Sequence, residues 1–210
     1  MRVPGWMART LDVLIAAGLL LAALPAFVVI SALVGATSRG PVFFRHPRVG
    51  LNGRRFSVVK FRTLRHGDDG LAALPGSYKV TLDSPAVTAV GRFLRRSGLD
   101  ELPQLINVVL GDMALIGIRP MVERELAAEP EEFREIYVRF RPGLSGLWQV
   151  EGRTEHLEHT GRTHHDLQWA RERTLLGDIA LMLRTPWAML RGYSASTAGH
   201  AAEPAAVSHQ

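Results

Sequence analysis

The chain begins with a long uncharged apolar stretch and continues with shorter segments in which apolar and polar positions alternate. No residue from Val13 to Ser38 is charged, and Leu, Ala, Val and Ile dominate this stretch. Because a membrane span needs about 20 apolar residues, the stretch is long enough to enter a bilayer. Three interpretations follow: a cleaved signal peptide, a transmembrane anchor, or a helix that enters the membrane, breaks and returns to the same face.

The flanks and the middle of the stretch separate these interpretations. A signal peptide is disfavoured, because the apolar core is too long and no small-residue cleavage site follows it. Arginines on both sides favour a cytoplasmic position for both ends: Arg2, Arg9, Arg39, Arg45 and Arg48. Pro25 lies near the middle and removes the N–H that would bond the carbonyl of Leu21. Each half is about a dozen residues, or roughly 18 Å, which is short of the ~30 Å hydrocarbon core. The pattern favours re-entry slightly over a kinked single span.

The rest of the chain mixes strand and helix patterns. Two β-prone segments, 41–44 and 56–61, flank the turn-forming pair Asn52-Gly53 and predict a β-hairpin within residues 40–64. Apolar periodicity and helix-ending residues predict further helices over 85–97, 100–110, 121–140 and 163–191, the last interrupted near Gly177 or Pro186. Ala, Ser, Thr and Gly prevail from residue 192 onward, so a disordered tail is expected at 192–210.

Composition excludes some kinds of site but does not identify the reaction. With 210 residues, the chain has room for one domain and a modest appendage. It contains no cysteine, which excludes disulfides, thiolate zinc sites and cysteine nucleophiles. The net charge of +5 favours anionic partners, which include phosphates, nucleotides, acidic lipid headgroups and nucleic acid.

An acidic pair, Asp100-Glu101, stands at the predicted start of a helix, just after Arg95 and Arg96. The helix macrodipole and the arginines stabilise negative charge there, so both carboxylates are expected to be ionised at neutral pH. An ionised Asp can attack phosphorus, and a neighbouring Glu can hold Mg²⁺. An N-cap followed by an ordinary first-turn acid is the commoner meaning of such a pair. The pair alone therefore does not establish a nucleophile.

Longer motifs carry more information than the pair. They are KFRTL at 60–64, SGLDELPQLIN at 97–107, GDMALIGIRP at 111–120 and RPGLSGLWQVEGR at 141–153. In sequence and order they resemble the core of the bacterial sugar transferases, the monotopic phosphoglycosyl transferases that act on polyprenyl phosphate. The resemblance covers roughly residues 8–191, nearly the whole of the chain predicted to be ordered.

This resemblance implies a fold and a reaction. The expected fold is a helix-rich α/β protein with three parts: a re-entrant membrane helix-break-helix (1–38), a catalytic phosphoglycosyl transferase domain with interfacial amphipathic helices and a β-hairpin (39–191), and a disordered tail (192–210). The expected reaction moves a phosphosugar from a UDP-sugar to undecaprenyl phosphate and releases UMP. It would be the first membrane step of exopolysaccharide, lipopolysaccharide or glycoconjugate synthesis, at the cytoplasmic face of the bacterial inner membrane. Glucose, galactose and N-acetylated sugars all fit.

The resemblance also assigns residues. Asp100 matches the family nucleophile that forms a phosphosugar–aspartyl intermediate, and Glu101 matches the Mg²⁺-binding acid, with Asp100 as a second expected metal ligand. Pro25 matches the membrane break, although Leu24 stands where many members have serine. The expected substrate-binding residues are Lys60, Arg62, Arg95, Arg119, Pro120, Arg141 and Arg153. Taken singly, Lys60, Arg62 or Arg119 would serve equally well in a headgroup contact or a surface salt bridge.

Two other kinds of function fit the sequence less well. A non-catalytic membrane partner that keeps the fold is disfavoured by the intact Asp100-Glu101 and Arg95. A membrane-tethered nucleic-acid binder is disfavoured because no RNA- or DNA-binding motif occurs and the basic residues do not alternate with aromatic ones. The predicted partners are therefore a UDP-sugar, undecaprenyl phosphate and anionic membrane lipids, and no nucleic acid.

Overall fold

The apolar stretch forms two consecutive helices in the structure, a computed structural model that describes residues 5–65, 80, 82–152 and 159–198. Helix α1 spans Gly5–Ala22 and helix α2 spans Leu24–Thr37, with Pro25 in the first turn of α2. Helical hydrogen bonding continues across the junction, because the N–H of Phe27 donates to the carbonyl of Ala23 at 2.9 Å. Among the described helices, α1 alone is long and apolar enough to cross a membrane.

The predicted hairpin is confirmed. Strand β1 (Phe43–Val49) pairs antiparallel with strand β2 (Arg55–Phe61), and the last residue of β1 faces the first residue of β2. Asn52 and Gly53 in the connection have φ of 56° and 73°. These left-handed conformations are the ones that Asn and Gly adopt with least strain. With helices as the dominant elements, the helix-rich α/β class is confirmed as well.

The next two helices are shorter than predicted. Helix α3 spans Ala89–Ser97 rather than 85–97, because the Oγ1 atom of Thr88 caps it by accepting the N–H of Gly91 at 2.8 Å. Helix α4 spans Gln104–Leu110 rather than 100–110. A separate 3-10 turn, Leu99–Glu101, precedes it. The acidic pair therefore lies in this turn and not in the first turn of α4.

A second, parallel pair of strands was not predicted. Strand β3 (Ala114–Ile116) pairs with strand β4 (Gly143–Ser145). The chain between them forms two short helices, α5 (Glu123–Ala127) and α6 (Glu131–Tyr137). The single helix predicted over 121–140 is wrong, since Pro130 separates α5 from α6 with an extended ψ of 149°. A proline has no N–H to continue the helical ladder.

The C-terminal region contains helix α7 (His159–Glu172) and helix α8 (Leu175–Ala198). The break at residues 173–174 lies three residues before Gly177, near one of the two predicted interruptions, whereas Pro186 lies within α8. Thr174 supports the new start by accepting the N–H of Gly177 through Oγ1 at 3.1 Å. Because α8 continues to Ala198, the boundary predicted at 192 falls inside a helix. Residues 199–210 lie outside the described residues.

The first turns of α1 are attached to the region around α4. An arginine, Arg9, donates through Nη2 to the carbonyl of Val108 at 2.6 Å. The Oδ1 atom of Asp12 accepts the N–H of Leu115 at 3.3 Å. One turn later, Ala16 is fully buried in an apolar cluster that also contains Val108 and Leu115. This end of the apolar stretch is therefore fixed to the folded body.

The last turns of α2 return to that body at the end of β2. Ile30 and Val34 are buried in a cluster with Phe61 and Leu94. Next to them, the Nη2 atom of Arg62 donates to the carbonyl of Ser38 at 2.6 Å, just past the end of α2. Arg62 thus binds the backbone where the apolar stretch ends.

Candidate functional site

The acidic pair lies in the short 3-10 turn between α3 and α4. Gly98 leads into this turn with a φ of 72°, a left-handed conformation that strains any residue with a Cβ atom. Asp100 is only 9% exposed, whereas Glu101 is half-buried. The turn therefore presents Glu101 towards the surface and holds Asp100 beneath it.

Burial and charge set the protonation of Asp100. Burial, followed by repulsion from Glu101, raises the pKa of Asp100 to about 6, against the attraction of Lys60 and Arg95. The direction is opposite to the sequence-based expectation, which considered the helix start and the arginines but not burial. With a pKa of about 6, the carboxylate is still mostly ionised at pH 7, by roughly ten to one. Asp100 remains available as a nucleophile.

The predicted basic residue Lys60 pairs directly with Glu101. Its Nζ atom lies 2.6 Å from Oε1 of Glu101, and both side chains are about three-quarters buried. Lys60 comes from β2, which α4 contacts through Asn107. The Oδ1 atom of Asn107 accepts the N–H of Val59 at 3.0 Å, and Nδ2 donates to the carbonyl of Ser57 at 2.8 Å. These bonds fix Lys60 opposite the acidic turn.

Arg95 is a second basic side chain close to Asp100. Its Nε atom donates to Oγ1 of Thr63 at 2.8 Å, and its Nη1 atom donates to the carbonyl of Val80 at 2.9 Å. Burial lowers the pKa of Arg95, and the charge of Asp100 raises it, so the two side chains are electrostatic neighbours. Arg95 thus lies close to Asp100, and its predicted substrate-binding role stays a prediction.

A pocket opens beside Glu101 and draws on several distant segments of the chain. Its lining residues are Arg48, Val58, Lys60, Glu101, Gln104, Arg119, Pro120, Leu144 and Gln149. Three basic side chains against one carboxylate make the pocket positive, which suits phosphate groups. Asp100 is not among the lining residues, although its chain neighbour Glu101 is.

Arg48 is a site residue that sequence reasoning missed. Burial and the neighbouring charge of Arg119 lower the pKa of Arg48, while Glu125, 3.6 Å away, favours its charged form. Two guanidinium groups placed together repel each other, and an anion between them would relieve that repulsion. The sequence offered no way to choose Arg48, because it is one of six basic residues in the hairpin. Gln104 and Gln149 stood within the recognised motifs but carried no predicted role.

The structure brings some of the predicted site residues together and separates others. Lys60, Glu101, Arg119 and Pro120 line the pocket. Arg62 is buried against the end of α2, and Arg141 donates through Nε to the carbonyl of Gly111 at 2.9 Å. Pro25 lies in the first turn of α2, and Arg153 falls outside the described residues. The roles predicted for all of these residues stay predictions.

The acidic pair also fits a divalent cation. The charge of Glu101 raises the pKa of Asp100, which shows that the two carboxylates interact. Among the described residues, no group of three or more His, Asp or Glu side chains could hold a metal ion. Mg²⁺ does not require such a group, because it is usually bound by one or two carboxylates together with waters and substrate phosphates.

Comparisons with known proteins identify the family of this chain. A family model described as bacterial sugar transferase matches residues 3–192. The exopolysaccharide production protein ExoY of Sinorhizobium fredii is 37% identical over 194 residues, which are 87% of this chain and 85% of that protein. The undecaprenyl-phosphate galactose phosphotransferase of Salmonella typhimurium is 35% identical over 198 residues, or 89% of this chain and 41% of that protein.

A further relative is the UDP-glucose:undecaprenyl-phosphate glucose-1-phosphate transferase of Escherichia coli. It is 34% identical over 187 residues, which are 84% of this chain and 39% of that protein. The match to the family model covers the hairpin, the acidic turn and the pocket described above. The chain therefore belongs to the bacterial sugar transferase family.

Proposed function

We propose that this protein transfers a phosphosugar from a UDP-sugar to undecaprenyl phosphate and releases UMP. The observation that carries the proposal is a buried, mostly ionised Asp100 beside a positive pocket lined by Lys60, Arg48 and Arg119. The names of the relatives support it, since two refer to transfer onto undecaprenyl phosphate and one to exopolysaccharide production. The reaction would be an early membrane step of exopolysaccharide synthesis.

In the first step, a carboxylate oxygen of Asp100 attacks the phosphorus that bears the sugar. An aspartyl O–P bond forms while the bond from this phosphorus to the bridging oxygen breaks, and UMP leaves with the electron pair. Lys60 and Arg119 lie where they can compensate the negative charge of the diphosphate oxygens. Arg95, held by Thr63, stabilises the ionised form of Asp100.

In the second step, a phosphate oxygen of undecaprenyl phosphate attacks the phosphorus of the phosphosugar–aspartyl intermediate. The new O–P bond forms as the aspartyl O–P bond breaks, and the electron pair returns to the carboxylate of Asp100. The products are a lipid diphosphate sugar and the original enzyme. The basic side chains around the pocket serve this step as well, because its reacting groups are again phosphates.

Glu101, together with Asp100, would hold Mg²⁺. When bound, the ion would supply positive charge that screens the phosphate oxygens from the carboxylate nucleophile. Lys60 orients Glu101 through the 2.6 Å contact between Nζ and Oε1. We expect chelation by EDTA to stop UMP release and added Mg²⁺ to restore it.

The apolar stretch is proposed to re-enter the membrane and return to the cytoplasmic face. Ala16 in α1 and Ile30 in α2 are both buried against the folded body, so both halves of the stretch contact the same body. At 1.5 Å per residue, the roughly 13 residues between these two contacts measure about 20 Å, short of the ~30 Å hydrocarbon core. Leu21 and Val28 within it are 68% and 70% exposed, as lipid-facing side chains would be.

Helix α8 supports the same orientation at the membrane surface. Leu176, Leu183 and Trp187 are largely exposed. Their spacing of seven and four residues places them on one side of the helix. An apolar face with tryptophan suits the headgroup layer, and the basic chain suits anionic lipids there.

The test of the proposed function uses membranes or detergent-solubilised protein, undecaprenyl phosphate, Mg²⁺ and a panel of UDP-sugars. UMP release with one sugar, accompanied by a lipid-linked product, would support the transfer. The panel includes UDP-glucose and UDP-galactose, because two relatives are named for these sugars. If folded, membrane-bound protein released no UMP from any donor, a non-catalytic role in polysaccharide assembly would be favoured instead.

The pKa of Asp100 predicts how the reaction depends on pH. A protonated carboxyl group cannot attack phosphorus, so kcat/KM for UMP release should fall as pH decreases through about 6. Lys60 lowers the pKa of Asp100, so Lys60→Met should move this midpoint to higher pH. The measurement is the pH profile of kcat/KM for both proteins, with the exposed Arg139→Met as a control. A midpoint that does not move in Lys60→Met would contradict the electrostatic role of this lysine.

The membrane topology can be tested with single cysteines, because the chain has none of its own. Gly5→Cys and Ala36→Cys place exposed thiols near the two ends of the membrane segment. A membrane-impermeant maleimide should label both in inverted vesicles and neither in intact spheroplasts, and Val28→Cys should resist labelling in both. Labelling of one end from outside the cell would show a single span instead.

A further inference from the structure

Two uncharged amide side chains line the pocket and have no part in the transfer steps. Gln104 lies in the first turn of α4, three residues after Glu101. Side chains three residues apart in a helical turn lie on the same face. Gln149 lies in the helical turn Trp148–Gly152, which follows β4. Both line the pocket together with Lys60.

The Gln104 side chain is packed into the protein with its amide open to the pocket. The residue is 2% exposed, and its amide makes no hydrogen bond to any residue that the structure describes. Neither amide atom is among the fully buried polar atoms that lack a partner, so the amide keeps access to the pocket. In a residue that lines a pocket, such an amide points to a hydrogen-bonding group on the ligand.

The Gln149 amide is held in one orientation. Its Nε2 atom donates to the carbonyl of Leu144 at 3.1 Å. Because a carbonyl oxygen only accepts hydrogen bonds, this contact leaves Oε1 as the free acceptor of the amide. A Cβ atom added at Gly146 would lie 3.3 Å from Oε1, which shows that this oxygen lies close to the backbone of Gly146. No donor among the described residues bonds this oxygen.

The two kinds of side chain in the pocket suit different parts of one ligand. Arg48, Lys60 and Arg119 match the charge of a diphosphate. Neutral amides, which donate and accept at once, match hydroxyl and carbonyl groups. We propose that Gln104 and Gln149 bind an uncharged, hydroxyl- or carbonyl-bearing part of the nucleotide-sugar donor next to its diphosphate. This inference rests on the proposed function for the identity of the donor.

The test compares binding of four probes by titration calorimetry in detergent: pyrophosphate, UMP, UDP-glucose and UDP-galactose. Gln104→Met and Gln149→Met keep the approximate side-chain volume and remove the hydrogen-bonding groups. Each variant should bind a nucleotide or nucleotide-sugar about 3- to 10-fold more weakly, the usual effect of losing a neutral hydrogen bond. Binding of pyrophosphate should stay within about twofold of wild type, because it has no uncharged part.

The four probes also show whether the two glutamines bind the nucleoside or the sugar of the donor. Weaker binding of UMP would place the amides on the nucleoside, and weaker binding of the UDP-sugars alone would place them on the sugar. An equal loss for pyrophosphate, or no loss for any probe, would overturn the proposal. The control is Gln168→Met on α7, where the exposed amide donates to Glu172, and we expect it to bind every probe as wild type does.

The outcome does not depend on catalysis. If the wild type released no UMP but the Met variants lost nucleotide binding, the amide subsite would stand and the proposed function would fail. If the wild type transferred sugar and the Met variants bound all probes normally, the subsite alone would fail. Melting curves identify any variant that does not fold, and the other glutamine then carries the test.

Discussion

Replacing Asp100 with asparagine is expected to abolish UMP release, with a loss of roughly 10⁴- to 10⁶-fold in kcat, as for other catalytic nucleophiles. Asparagine keeps the shape of the side chain but lacks the anionic oxygen that attacks phosphorus.

The same substitution should not lower the stability of the folded protein. Burial raises the pKa of Asp100 to about 6 from 3.8. The carboxylate therefore destabilises the fold at pH 7 by up to roughly 3 kcal/mol. We accordingly expect Asp100→Asn to melt at or above the temperature of the wild type.

The same substitution tests the covalent intermediate directly. Wild type incubated with a reactive UDP-sugar, without lipid acceptor, should gain the mass of one phosphosugar in intact-protein mass spectrometry. Asp100→Asn should gain none, and the exposed Asp83→Asn should behave like the wild type. Undiminished UMP release by Asp100→Asn would refute the nucleophilic role and leave direct transfer to the lipid as the alternative.

Local patterns were sufficient for the features that depend on neighbouring residues. Asn52-Gly53 specifies a turn because both residues accept left-handed backbone conformations, and the hairpin follows from it. Pro25 lacks an N–H, and helix α2 begins beside it, although helical hydrogen bonding continues across the junction. The motif around Asp100 identified the acidic turn, although not its 3-10 geometry.

Features that depend on distant residues could not be predicted in this way. The parallel pairing of β3 with β4 joins two three-residue strands that lie 27 residues apart, from Ile116 to Gly143. Gly143 permits it, because a Cβ there would lie 2.1 Å from the backbone nitrogen of Gly117. No local periodicity indicates such a close approach. The contributions of Arg48 and the two glutamines to the pocket are equally non-local.

The protonation of Asp100 shows the same limit. From the sequence, the nearby arginines and the helix start favoured the ionised form. Burial cannot be read from those neighbours, and in the structure it outweighs Lys60 and Arg95. The helix start and the arginines alone would lower the pKa of Asp100, whereas burial raises it, and the carboxylate is still mostly ionised at neutral pH, as expected. The catalytic role of Asp100 stays a prediction.

One short segment connects helix α2 with the acidic turn. Lys60 pairs with Glu101, and two residues later Arg62 binds the backbone at the end of α2. Thr63 then accepts a hydrogen bond from Arg95 through Oγ1. The four residues 60–63 thus contact Glu101, the arginine beside Asp100 and the end of the apolar stretch. A shift in their position would be expected to disturb the site as a whole.

Substitution of Gly91 by alanine should produce such a shift. A Cβ atom at this position in α3 would lie 2.1 Å from the carbonyl oxygen of Thr63 and 2.8 Å from its carbonyl carbon and Cα. Those are backbone atoms, so no side-chain rotation relieves the contact, and either α3 or the 60–63 segment must move. Overpacking of this kind destabilises by about 1–3 kcal/mol or more, which outweighs the gain of up to about 1 kcal/mol from alanine in a helix.

We expect Gly91→Ala to lower the melting temperature by several degrees, since about 1 kcal/mol corresponds to roughly 2–4 °C in a chain of this size. UMP release should fall as well, because Arg95 and Thr63 would be pushed apart. Gly35→Ala in α2 is the matched control: a Cβ there meets nothing within 4 Å, and both stability and activity should be kept. An unchanged melting temperature for Gly91→Ala would contradict the close packing of α3 on Thr63. A lowered melting temperature with full activity would instead separate that packing from the geometry of the acidic turn.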